Sequence, residues 1–562
     1  MSIRVSHLTY TYRSRTQPAL DDISAEFLPG HVTLIAGASG SGKTTLIRCI
    51  NGLIPRSYFG GTLSGQVVLF GADTASMSLA HISLLVGTVL QDPEQQIIAA
   101  KVENEIAFGL ENLGLPRAEI KVRIAQAAEQ LHITHLLHHE TFALSGGEKQ
   151  KIALAGVLAM RPQAILLDEP LAMLDPEAGY ETLQVLRELA ASGIAIIIIE
   201  HRVEEVLAIQ PEHCLYLSQG RVTYTGNASG LLAAVSWREM KIPTPAIIKQ
   251  INDERRIEKR YQPGPRLYDE TSSMSAQPAV PSRVISLPVK KTQEQPLVEF
   301  RHVHFSYGSS VDVLHDVSFT IHAGERVAVL GPNAAGKTTL VKHAIGLNKP
   351  TRGKVLVQGQ DTCEISVAQV AHTVGFVFQS PSYMLFANTV REELSFGPRN
   401  LGLDEPAITG RVTHALAVVN LPGFEEYPPL ALSFGQQKRI SIASILSMDP
   451  RVLIMDEPSA GQDYASYTHF MDDIVGGSTH PFDAVLFITH DLDLAITYAN
   501  RVLLVADGQK VADGPPEEVL QNRTLLQQCR LRPTSLLDEN IKLLPQTGRF
   551  LPVLALANYL ST

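Results

Sequence analysis

The sequence predicts an α/β chain in which one domain is built twice. Three observations carry this. A short β-branched run, a glycine-rich GxxxxGK[ST] loop and a helix-patterned segment follow one another at 32–50 and again at 327–345. Each copy continues in the same order with a glutamine, an LS-x-G segment, an apolar run closed by Asp-Glu-Pro, and a histidine. The copies also keep register: Gln91 and Gln379, Ser145 and Ser433, and Asp168 and Asp456 are each 288 residues apart, His201 and His490 are 289 apart, and Lys43 and Lys337 are 294 apart. An offset held across several motifs is the signature of a duplicated unit.

The elements support that reading in chain order. Val32–Ala36 and Val327–Leu330 are strands leading into the glycine loops, and 46–50 and 340–345 continue as helix. Between each glutamine and LS-x-G segment lies a polar, helix-patterned stretch, 118–137 and 405–419, which reads as a helical subdomain. Ile165–Leu167 and Val452–Met455 are apolar without alternation, as parallel strands covered on both faces should be. The first unit spans 1–232 and the second 298–526. The stretch 233–297 carries many prolines and mixed charge (DERRIEKR) and reads as a partly disordered linker, with a short helix near 247–260. The tail 527–562 has no counterpart after the first unit.

Composition narrows the class. A chain of 562 residues with 45% hydrophobic and 19% charged residues supports two or more domains with cores of their own. A net charge of −10 does not favour nucleic acid over the whole surface. Cys49, Cys214, Cys363 and Cys529 form neither a CxxC pair nor a zinc spacing, so reduced thiols in a cytosolic protein are expected. The start, MSIRVSHLTY, lacks the apolar core of a signal peptide. The longest apolar run, 194–199, is strand-sized, and the tail segment 550–560 reads as packing rather than as an anchor.

Strand, GxxxxGK[ST] and helix together form a P-loop. Its backbone N–H groups and helix N-terminus face phosphates, and its lysine adds positive charge beside them. The candidate ATP-binding residues are Gly37, Ala38, Ser39, Gly40, Ser41, Gly42, Lys43, Thr44 and Thr45 in the first loop. In the second they are Gly331, Pro332, Asn333, Ala334, Ala335, Gly336, Lys337, Thr338 and Thr339. Thr44 and Thr338 are placed to bind Mg²⁺ through their hydroxyls. Asp168 and Asp456 end apolar strands where a carboxylate reaches the metal, and Glu169 and Glu457 follow as groups that polarise an attacking water. His201 and His490 close the next apolar strands and point to γ-phosphate contacts.

With these motifs in place the chain resembles the ATP-binding cassette (ABC) ATPases over both units. LSGGEKQ (144–150) resembles that family's signature, LSFGQQK (432–438) is a variant of it, and AMLD (172–175) and SAGQD (459–463) resemble its D-loops. The resemblance implies a RecA-like core sheet with a β subdomain and a helical subdomain in each unit. It places Tyr12 and Tyr307 where the family stacks an aromatic on adenine, with plain strand packing equally open. It assigns Gln91 and Gln379 to the metal and the catalytic water. It also implies head-to-tail pairing, with Lys43, Asp168, Glu169 and His201 facing Ser433 and Gly435, and Lys337, Asp456, Glu457 and His490 facing Ser145, Gly146 and Gly147.

Two departures make the sites unequal. Phe434 stands for a signature glycine, and Ala334 stands for a P-loop glycine, at a cost of ~1–2 kcal/mol if that position needs φ > 0. Because the site built on Lys337 keeps the intact signature, Glu457→Gln is expected to reduce turnover more than Glu169→Gln. The segments 91–115 and 379–403, with 51–65, resemble the ATPases of energy-coupling factor (ECF) importers. That implies an ATPase on the cytoplasmic face of the cell membrane, with a membrane scaffold protein docking near the glutamines. It also implies a small integral protein that captures a vitamin, such as a thiamine precursor, or a metal. Ile97 and Ile98, with Met384–Phe386, either form a groove for an incoming helix or pack inside the helical subdomain. The competing class, a soluble two-cassette protein acting on the ribosome, would be expected to show a long basic helical linker and two good signatures. A chromosome-maintenance ATPase would need zinc-binding cysteines or a long coiled coil.

Overall fold

Each half of the computed structural model is organised around a sheet whose central strands are parallel. The structure describes residues 2–58, 60–172, 174–260, 295–308, 312–460, 464–476 and 482–561. The proline-rich part of the expected linker, 261–294, lies outside them. So do Met173, Gly461–Asp463 and the side chain of Phe434.

In the first half the strands run in the order Val86–Val89, Ala164–Asp168, Ala195–Ile199, Val32–Ala36, His213–Ser218 and Arg221–Gly226. Only the last pairing is antiparallel. Val32–Ala36, Ala164–Asp168 and Ala195–Ile199 are buried along their whole length, which is why their sequences run apolar without alternation. A second, antiparallel sheet orders Leu20–Phe27, Ile3–Thr11, Thr62–Leu69 and Ala72–Asp73. Three helices, Val102–Asn112, Arg117–Gln130 and Gly146–Ala159, make the helical subdomain. The second half repeats the plan, with Val374–Val377, Val452–Asp456, Ala484–Ile488, Arg326–Leu330, Arg501–Ala506 and Gln509–Gly514 in its larger sheet. The expected α/β architecture, built twice, is therefore present.

Register places the chemistry. Ile35 pairs with Ile199, and Ile199 pairs with Asp168, so the P-loop, the Asp168-Glu169 pair and His201 leave the sheet at one edge. In the second half Val329 pairs with Ile488, and Ile488 with Asp456. In parallel α/β sheets this C-terminal edge is where ligands bind.

The start of the expected linker, 233–260, is a packing element. Met240, Ile242, Ile247 and Ile251 are buried in the first half's core, and the helix Thr244–Arg260 carries the last two. The helices Ser535–Thr547 and Val553–Leu560 lie against it. Leu556 joins the second core and Ala557 the first. Arg532 stacks its guanidinium 3.6 Å from the Tyr180 ring centroid and pairs with Glu177 at 3.4 Å, so chain that follows the second half grips a helix of the first. The four cysteines are free thiols, with Cys363 exposed and the others buried.

Candidate nucleotide sites

Both P-loops fold the same way. Lys43 Nζ donates to the carbonyls of Gly37 and Ala38, each at 2.8 Å, and Lys337 Nζ donates to those of Gly331 and Pro332 at 2.8 and 2.6 Å. Gly42 and Gly336 take φ of +104° and +91° immediately before the helices Lys43–Ile50 and Lys337–Ala344. A Cβ on Gly42 would lie 2.5 Å from the Ala19 carbonyl oxygen, so the position demands glycine twice over. Ala334 stands at φ +61°, where the first loop has Gly40 at +77°. The second loop therefore reaches the left-handed conformation with an L-residue, at about 1–2 kcal/mol.

The acidic groups converge beside these loops. Thr338 Oγ1 donates to Asp456 Oδ2 at 2.8 Å, and the Thr44 hydroxyl bonds Asp168 in the same way. Burial, reinforced by repulsion from Glu169, pushes Asp168 up to about 6; burial and Glu457 do the same to Asp456. His201 Nε2 lies 3.0 Å from Glu169 Oε1, and Gln91 Nε2 donates to Glu169 Oε2 at 2.6 Å. His490 Nδ1 lies 3.0 Å from Glu457 Oε1. Glu457 Oε2 is buried and has no hydrogen-bond partner among the described residues. Burial opposes the charge on Glu457, but His490, Lys337 and Lys438 outweigh it and hold the carboxyl below its ordinary value. Both glutamates sit at positive φ, +50° and +48°, a strain that concentrates at functional positions.

The remaining candidates are positioned less directly. Tyr12 hydrogen-bonds Thr45 through its hydroxyl at 3.1 Å, and Tyr307 bonds Thr339 at 3.3 Å while staying 59% exposed. Ser145 and Ser433 cap the helices Gly146–Ala159 and Phe434–Leu446 in reciprocal boxes with Glu148 and Gln436. Among the described residues their hydroxyls bond only within those boxes, and neither bonds the opposite P-loop. Gly147 is buried in the first turn of its helix, and nothing lies within 4 Å of a Cβ built on Gly435. The halves do touch beside the sites: Asn333 N donates to Asp175 Oδ2 at 3.4 Å, while Oδ1 of the same carboxylate caps the helix Pro176–Ala191.

Sequence reasoning passed over Glu200. Its buried carboxylate accepts from the backbone N–H groups of Leu171, His201 and Arg202 at 3.1, 2.7 and 3.1 Å, fixing the turn that presents His201. A carboxylate closing the strand AIIIIE was the available signal. The second half uses Thr489 instead, whose hydroxyl accepts from Asp491 N at 3.0 Å.

Comparison with known proteins decides the family. The ABC transporter family model matches residues 20–172 and 314–460, once in each half. The chain belongs to the ABC transporter ATP-binding proteins. A relative from Clostridium perfringens is 34% identical over 96% of this chain and 95% of its own, and one from Methanosarcina mazei is 36% identical over 92% and 89%. Both are provisionally named as ABC transporter ATP-binding proteins. A solved structure titled as cbiO1 of Clostridium perfringens, part of the ABC transporter complex cbiONQ, is 27% identical. It covers 48% of this chain and all of its own, with a TM-score of 0.38. As a member of that family the chain binds and hydrolyses ATP. No helix among its described residues is long and apolar enough to cross a membrane.

Proposed function

We propose that this ABC ATPase drives import of a small vitamin-like or metal substrate through an ECF-type complex, bound to the cytoplasmic face of the cell membrane by integral partners. The observation that carries the reading is an apolar surface repeated on both halves. Of the residues after the glutamines, Ile97 and Leu385 turn into the cores, whereas Ile98 is 65% exposed and Phe386 62%. Ile98 and Phe386 are 288 residues apart, as are the exposed Phe108 and Phe396, and Phe386 meets Phe396 edge-on at 4.9 Å. Exposed apolar groups at matched positions suit two docking helices of a membrane scaffold.

Within each site the residues fit Mg²⁺ and phosphate. Thr44, Asp168 and Gln91, and Thr338, Asp456 and Gln379, offer oxygen donors beside a P-loop, the chemistry that metal prefers. Bound there, Mg²⁺ would neutralise phosphate charge. Glu169 and Glu457 take up the proton of the attacking water, and His201 and His490 orient those glutamates. Head-to-tail pairing of Ser145 and Gly147 with the Lys337 site, and of Ser433 and Gly435 with the Lys43 site, is supported by the Asn333–Asp175 contact.

The two aspartates set a pH test. Their pKa is raised on folding, so in the nucleotide-free protein their ionisation costs stability as pH rises from about 4 through about 6. Below about pH 6 the folded carboxyls hold protons that a metal must displace. Magnesium–ATP should therefore raise the melting temperature more at about pH 7.5 than at about pH 5.5. Equal shifts at both would contradict the metal assignment.

The import reading is tested by isolating the chain from native membranes and identifying what accompanies it. Integral proteins and a bound small molecule are expected, and Ile98→Asp with Phe386→Asp should release them. Recovery with ribosomes, or with an export complex, would overturn it.

A further inference from the structure

The second half buries a cation that the first half lacks. Lys438 lies five residues after Ser433 on the helix Phe434–Leu446 and has 0% exposure. Its Nζ donates to the carbonyls of Phe378 at 2.9 Å, Gln379 at 2.7 Å and, more weakly, Asp456 at 3.4 Å. Two of these belong to the glutamine segment and one to the strand end that carries the Asp456-Glu457 pair. An ammonium has three protons, so three converging carbonyls satisfy it fully. Burial lowers Lys438 to about 8, with Asp456 and Glu457 holding it up, so it stays cationic at neutral pH.

At the same repeat offset the first half has Gln150. That amide reaches one carbonyl, Leu90, at 3.4 Å, and its buried Oε1 has no partner among the described residues. One long neutral hydrogen bond stands where the second half has two short charge-assisted ones and a third longer contact.

We propose that Lys438 is a positioning residue for the second catalytic site, tying the glutamine segment and the end of the Asp456 strand to the signature helix so that the three move as one body. In the first half Gln150 makes only its one long bond to Leu90, and the helix meets the segment after Gln91 through Lys149 and the exposed Glu94 at 2.6 Å, so among the described residues no buried cation ties Gln91 to the end of the Asp168 strand. The two sites then differ in how far their metal-side groups shift during turnover, independently of the differences in signature and P-loop. The catalytic part of this inference rests on the assignment of Gln379 and Asp456 to the site; the mechanical part does not.

The test uses the full chain with Lys438→Gln, which installs the first half's residue, and Lys438→Met, which keeps volume but donates nothing. Hydrogen–deuterium exchange without nucleotide should quicken at 378–380 in both variants, approaching the rate at 90–92. The rest of the helix should be unchanged. In a Glu169→Gln background, where turnover reports the second site, kcat should fall on the order of tenfold, with KM for ATP held within about twofold, the scale seen when a supporting contact is loosened. In a Glu457→Gln background the loss should be slight. Unchanged exchange at 378–380, faster exchange throughout the helix and core, or equal kcat losses in the two backgrounds would overturn the proposal. If the parent Glu169→Gln chain does not hydrolyse ATP, the site assignment fails instead, and the exchange result still decides the tie.

Discussion

Glu457→Gln will lower steady-state ATP hydrolysis well below the level left by Glu169→Gln. Removing a general base costs on the order of 10²–10⁴-fold at its own site, so each variant reports what the other site can do. Glu457→Gln leaves the site built on Lys43, whose expected partner signature carries Phe434 in place of a glycine. The base proposed for that site, Glu169, has one oxygen on His201 and the other on Gln91. Glu169→Gln leaves the site built on Lys337. There the signature is intact, and Glu457 keeps a buried oxygen with no hydrogen-bond partner among the described residues, whereas both oxygens of Glu169 are engaged. The Ala334 departure does not reverse the order. With φ at +61° and Lys337 folded onto its loop as Lys43 is, it costs stability rather than shape. Initial rates of phosphate release on the two single variants measure this. Equal losses would remove the asymmetry, and a larger loss from Glu169→Gln would invert it.

The second large effect concerns the junction of linker, tail and both halves. Lys241 Nζ lies 2.8 Å from Asp491 Oδ1 and 2.9 Å from Asp493 Oδ2, and its side chain is only 20% exposed. Around it, Asp493 accepts from the Thr534 hydroxyl, Glu204 of the first half accepts from Ser535 N at 2.9 Å, and Ser535 Oγ accepts from Thr244 N at 2.8 Å. Burial works against the ammonium, but Asp491 and Asp493 outweigh it and raise Lys241 well above its ordinary value, so it is charged at any working pH. Lys241→Ala leaves two like charges unpaired in a partly buried site. Breaking such a pair costs about 3–5 kcal/mol, and the lower end applies here because the lysine keeps some solvent. The denaturation midpoint should fall by that equivalent. Adding Asp491→Asn and Asp493→Asn should recover part of it, since removing all the charges is far cheaper than stranding some. An unchanged midpoint in the single variant would show that the junction contributes nothing to stability. Asp491 follows His490 directly, so the same contact joins the linker to the second site's histidine turn.

What the sequence disclosed follows from how local each feature is. The P-loops, the buried strands and the capped signature helices are contiguous segments whose geometry is set by neighbours a few residues away, and they stand where the motifs place them. The junction around Lys241 was not legible, because its partners lie 250 residues further along the chain and no spacing rule links them. The ambiguity at Ile97 and Ile98 had the same origin. Two adjacent apolar residues give no period, and only the packed helices decide which turns inward. Lys438 was visible as a letter in the variant signature, but its importance came from carbonyls some 60 residues upstream.

The central claim is that the two halves close on ATP so that each nucleotide is held by the P-loop of one and the signature of the other. The most direct measurement is the distance between spin labels placed beside Ser145 and beside the second P-loop, in the Glu457→Gln chain, with and without magnesium–ATP. A shorter, narrower distance distribution is expected with nucleotide, and a return to the longer one when it is removed. A distribution that ATP leaves unchanged, in protein shown to bind it, would contradict the claim.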